Sequence, residues 1–133
     1  MHFRFLLFSI SLISSHCVVA AETCEPIDNA WILLTSGSFE LSARSQPKEI
    51  NTSKPFDLIV NICHNKQAYI GSLKFDAQMP MHKHGMNYQA SITNQNNGQY
   101  LIQGSLLHMP GLWRFSFTLD SLKQPIFYHY ALP

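Results

Sequence analysis

About seven short runs of alternating apolar and polar residues predict an all-β chain, an immunoglobulin-like antiparallel β-sandwich. Three observations carry the prediction. The runs recur at regular spacing. Pro47, Pro55, Pro80, Pro110, Gly111 and Pro125 fall between them, where strands tolerate such residues. No stretch shows the 3.6-residue apolar period of an amphipathic helix.

The first element is not a strand. Arg4 gives a positive start, Phe5 to Ile13 is apolar apart from two serines, and Val19-Ala20-Ala21 offers small residues at −3 and −1. This is the pattern of an export signal over residues 1–21, with cleavage expected after Ala21 and Ala20 as second choice. His16 stands where a lipobox needs a small residue before Cys17, which argues against lipidation. Residues 22–133 remain as a single β-sandwich domain, and for a bacterial chain export means the periplasm. That compartment is oxidising, and it receives Cys24 and Cys63. A structural disulfide is the simplest outcome. A redox pair and thiolate metal ligation are the alternatives, but no Cys-x-x-Cys is present.

Residues 38–44 form the expected first strand, with Trp31 to Leu34 as an extra or continuing piece. Phe56, Leu58, Val60 and Ile62 then alternate with more polar neighbours over residues 56–63, a strand with one buried face. His64-Asn65-Lys66-Gln67 reads as a hairpin loop into a strand over 68–75. Residues 88–93 make a weaker strand, and Asn94 to Gly98 a turn of residues that accept left-handed backbone. Strands over 99–107 and 113–119 follow, the second marked by Trp113, Phe115, Phe117 and Leu119. Residues 126–131 close the chain.

Composition narrows the function classes. Hydrophobic residues make up 46% and charged residues 13%, too apolar for disorder and too weakly charged for a coiled coil. The formal net charge is +1 and falls to zero without Arg4, so there is no footprint for nucleic acid. After residue 21 no apolar run reaches a membrane span. No nucleophile elbow, phosphate loop, zincin motif or dinucleotide fingerprint is present, and among carboxylates only Asp76 neighbours the histidine-rich segment, which argues against an enzyme.

That segment is Met79-Pro80-Met81-His82-Lys83-His84-Gly85-Met86, followed later by His108-Met109-Pro110-Gly111. Thioether sulfur favours Cu(I) and imidazole serves both copper oxidation states, so the mixture points to copper before zinc. On an extended segment His82, His84 and Met86 share one side, while Met79 and Met81 fall on the other. The alternative is that the methionines plug the core and the histidines bond to the backbone of their loops. Counting strands up and down, the loop after 68–75 and the turn after 99–107 lie at one end of the sandwich. His82, His84 and Met86 are therefore the expected ligands, with His108 or Met109 closing the site. His64 belongs to the opposite end as a solvated turn residue, and His129 is an ordinary sheet residue. Trp113 is expected at the core of its strand, its indole N–H needing a partner.

The Met79-Pro80…His82-x-His84-Gly85-Met86 and Met109-Pro110-Gly111-x-Trp113 pair, with Cys63 before it, resembles the YtkA-like domain family of small exported bacterial proteins. The likeness covers about residues 56–120, and FixH-like proteins share the Met-Pro-Gly turn. The resemblance implies an immunoglobulin-like sandwich and an exported location. If the motif pair serves no metal, Met79, Pro80, Pro110, Gly111 and Trp113 are structural turn residues. By analogy with other periplasmic sandwiches that carry Met/His loops, the resemblance links the chain to copper and to a partner among periplasmic or membrane-bound redox or copper-transport proteins. Two expectations follow: a non-enzymatic copper-binding or copper-handling protein, or a metal-free module that docks on a membrane or redox complex.

Overall fold

The computed structural model describes residues 23–133, so the export-signal reading of residues 1–21 lies outside the described residues. Ten antiparallel strands form two sheets. In chain order they are β1 (Ile32–Ser36), β2 (Phe39–Gln46), β3 (Pro55–His64), β4 (Gln67–Ala68), β5 (Leu73–Met79), β6 (His84–Gly85), β7 (Ser91–Asn96), β8 (Gln99–Leu106), β9 (Gly111–Leu119) and β10 (Ile126–Leu132). One sheet runs β1-β2-β3-β8-β7, with the short β4 also on β3; the other runs β10-β9-β5-β6. Without β1, β4 and β6, the seven principal strands stand four against three, in the order of an immunoglobulin constant-type sandwich. Among the described residues no helix is long and apolar enough to cross a membrane.

Alternation explains the core. Leu41 and Ala43 on β2, Phe56, Leu58, Val60 and Ile62 on β3, and Tyr100 and Ile102 on β8 are buried. Facing them are Leu73, Phe75, Ala77 and Met79 on β5 and Trp113, Phe115, Phe117 and Leu119 on β9. Phe56 and Phe115 join the sheets, with ring centres 6.3 Å apart.

Three expected elements are revised. The strand expected over 68–75 is two pieces in different sheets. Asn65 and Lys66, at φ 50° and 63°, make a tight turn into β4, and the chain then crosses over at Tyr69–Ser72 before β5 begins. The weak strand at 88–93 lies further on, as β7, so the turn narrows to Asn97-Gly98. The extra piece expected over residues 31–34 is a strand of its own, β1, which begins at Ile32, runs on to Ser36 and is a hairpin partner of β2.

Cys24 and Cys63 form a disulfide, with Cα atoms 5.7 Å apart. It lies on the outer face of the first sheet, where residues 24–27 run across the strands. The Cys24 amide donates to the Lys66 carbonyl at 2.9 Å, the Asn61 side-chain amide donates to the Glu25 carbonyl at 2.7 Å, and the Ile27 amide donates to the Ser42 hydroxyl at 3.1 Å.

Candidate metal-binding turns

Two turns build the candidate site. In the first, β5 runs to Met79 and returns as β6, with Met79 paired to His84. The His82 amide donates to the Met79 carbonyl at 3.1 Å and closes the turn; Lys83, at φ 52°, supplies its left-handed position. The Met86 amide then donates to the Ala77 carbonyl at 3.1 Å. The segment is therefore a hairpin, not the extended run that places His82, His84 and Met86 at i, i+2 and i+4. The hairpin also separates two methionines expected on one side. Met79 is 2% exposed as the last inward residue of β5, whereas Met81, at the tip, is 84% exposed.

The second turn, between β8 and β9, carries His108 to Pro110. The Ser53 amide donates to the Leu107 carbonyl at 2.8 Å, and the Trp113 indole N–H donates to the Met109 carbonyl at 3.0 Å. Trp113 thus finds the partner its burial requires. Gly111 has φ 127°, and a β-carbon there would stand 2.6 Å from the Met79 methyl. Met79 and Gly111 accordingly pack the two turns together, while the Trp113 hydrogen bond holds the second turn to its own strand. Pro80 and Pro110 are exposed beside them.

The imidazoles meet across this junction. His84 and His108 have ring centres 6.1 Å apart at 87°, and His82 and His84 are 6.4 Å apart at 25°. His108 also stands 5.4 Å from the Trp113 ring. Its Nδ1 is buried without a hydrogen-bond partner. Met86 and Met109 are half-buried and pack against the core. Asp76 is turned to its own strand: its carboxylate accepts from the Ala77 amide at 2.8 Å and from the Gln78 side chain at 3.1 Å. Among the described residues no group of three or more His, Cys, Asp or Glu side chains is placed to hold a metal ion. Any metal here therefore depends on two imidazoles completed by softer or more mobile donors.

The other histidines stand apart. His64 lies at the far end of β3 from Pro55, which pairs with Leu106 beside the site. It is not simply solvated, because its ring stacks on Phe39 at 4.2 Å between centres and 4° between planes. His129 is exposed on β10, opposite Arg114.

One polar cluster at that far end had no local signal. The Tyr69 hydroxyl donates to the Asp120 carboxylate, and the Ser72 amide donates to it at 3.1 Å; the first bond above all holds Asp120 down at about 2. The Tyr100 hydroxyl donates to the Gly71 carbonyl at 2.7 Å, and burial pushes its phenol up to about 12. Tyr69 and Asp120 lie 51 positions apart, so only the fold brings them together.

No protein-family model matches the sequence, and no curated protein matches it.

Proposed function

We propose that this is an exported, non-enzymatic copper-binding or copper-handling protein of the periplasm, with a motif pair that resembles that of the YtkA-like domains. The reading is carried by one observation: His84 from the β5–β6 turn and His108 from the β8–β9 turn approach to 6.1 Å between ring centres, with a buried, unpartnered Nδ1 on His108. Metal–nitrogen bonds of about 2.0–2.1 Å put the centres of two imidazoles on one ion roughly 5–6 Å apart. The separation of the two rings is close to that range. His82 is the next imidazole outward, and Met86 and Met109 offer thioethers on the same two segments. Such a nitrogen and thioether set suits copper, and Cu(I) above all, better than zinc. The partner fitting this chemistry is a periplasmic or membrane-bound redox or copper-transport protein.

A second reading has its own support. Met79, Met109 and Trp113 are fully accounted for by packing and one indole hydrogen bond, and no three-ligand group of the harder type is present among the described residues. On that reading the turns are scaffold, and the protein is a metal-free docking module for a membrane or redox complex.

Copper titration separates the two. The first reading expects one copper per chain with submicromolar affinity. Replacing His82 and His84 together by Ala removes most of it, and His108→Ala lowers it by about tenfold or more. Met86→Ala weakens Cu(I) selectively, because sulfur matters less to Cu(II). Binding weakens as pH falls through about 6.5, where free imidazole takes up a proton and loses its donor pair. A parent protein without submicromolar copper binding, or a double His variant that binds like the parent, leaves the docking module as the better reading.

A further inference from the structure

Four methionines lie among the described residues, and packing accounts for three. Met79 is 2% exposed, and Met86 and Met109 pack half-buried against the core. Met81 keeps 84% of its surface in water at the tip of the β5–β6 turn. An apolar side chain held there gains nothing from burial, and turn geometry does not ask for methionine. Its immediate neighbour is His82, at the outer end of a graded row. His82 and His84 are exposed, His108 is half-buried, and the ring centres step inward by 6.4 and then 6.1 Å.

We infer that Met81 is the capture ligand of this site for a soft monovalent cation, which on the copper reading is Cu(I). Its thioether takes the ion from a soluble or protein-borne carrier, and the ion then passes by way of His82 to His84 and His108. The inference rests on the proposed copper site but adds a separate role within it. Each step is ligand exchange without electron transfer. A sulfur lone pair of Met81 forms a bond to the ion as one carrier ligand leaves, and imidazole nitrogen lone pairs then displace the sulfur. Met81 thus governs the rate of exchange and contributes little to residence.

Met81→Leu keeps the size and removes the donor. The purified protein and this variant are each titrated with Cu(I) against bathocuproine disulfonate, and exchange with the same chelator is followed by stopped flow. Affinity is expected to stay within about threefold, while exchange slows by about tenfold or more in both directions. Exchange of Cu(II) with a Cu(II) chelator should be unchanged, since a thioether is a poor ligand for it. Equal losses of affinity and rate overturn the inference and make Met81 a resident ligand. An unchanged Cu(I) rate overturns it too, as does equal slowing of Cu(II), which marks a distorted turn. A parent protein that binds no Cu(I) overturns the copper reading itself, and the parent titration alone reveals that case.

Discussion

A β-carbon at Gly111 would press on the Met79 methyl at 2.6 Å, and φ 127° is a backbone state that other residues rarely adopt. Gly111→Ala is therefore expected to cost about 1–3 kcal/mol, read from urea unfolding, and to loosen the two turns. If instead Gly111→Ala unfolds at the parent's urea midpoint, the Met79 contact is slack. The meeting of His84 and His108 was legible from strand count alone, because each loop's end of the sandwich follows from the number of strands before it. The split between Met79 and Met81 was not. It depends on where β5 ends, and Ala77 and Met79 continue its inward alternation beyond residue 75, right up to the turn that Pro80 signals. The stacking of His64 on Phe39 was equally hidden, since it joins strands 25 positions apart in sequence.

At the scale of elements, the disulfide fastens residues 24–27 to the outer face of the first sheet and spans 39 positions. Closing such a loop is worth about 4 kcal/mol in the chain-entropy model. Replacing Cys24 and Cys63 together by Ala should lower stability by about that amount, measured by denaturant unfolding. Thiol titration of the unreduced, denatured protein should find no free thiol on either residue; two free thiols would mean that the bridge does not form. Both cysteines are buried, so mild reductant is expected to act only after local opening. The longer strands were readable because a period of two with one buried face is a strong local signal. The division of 68–75 was not, because alternation cannot report which sheet a residue joins. The two-residue β6 is too short to show any period.

For the molecule as a whole, stability should depend on acid at the end away from His82, His84 and His108. Asp120 titrates at about 2 when folded, below the 3.8 of a free carboxyl. A lowered pKa contributes stability that is present above the free value and is lost as pH falls through the folded one. Denaturant midpoints should thus decline between about pH 4 and 2, and Asp120→Asn should flatten that decline. Tyr100 acts on the alkaline side. Its folded value near about 12 gives stability that holds below 10 and is lost as pH rises toward 12. Neither window reaches about pH 6.5, where the copper reading expects binding to weaken, so on that reading the loss of metal should leave the fold intact by circular dichroism. A coincident loss of structure there would tie the metal to folding.

Leu132, next to the last residue, pairs with Gly111 in the turn region that carries His108. Thr23 and Cys24 lie at the other end of β3, a strand of ten residues, or about 33 Å. A polyhistidine purification tag fused after Pro133 would thus hang beside His84 and His108 and offer its own imidazoles to any copper bound there. The same tag placed before Thr23 would be attached at the opposite end of the sandwich. A polyhistidine tag binds copper at either end, but only the C-terminal one can share an ion with His84 and His108. On the copper reading the affinities of these two fusions should therefore disagree, and the count that belongs to the protein is that of the tag-free chain.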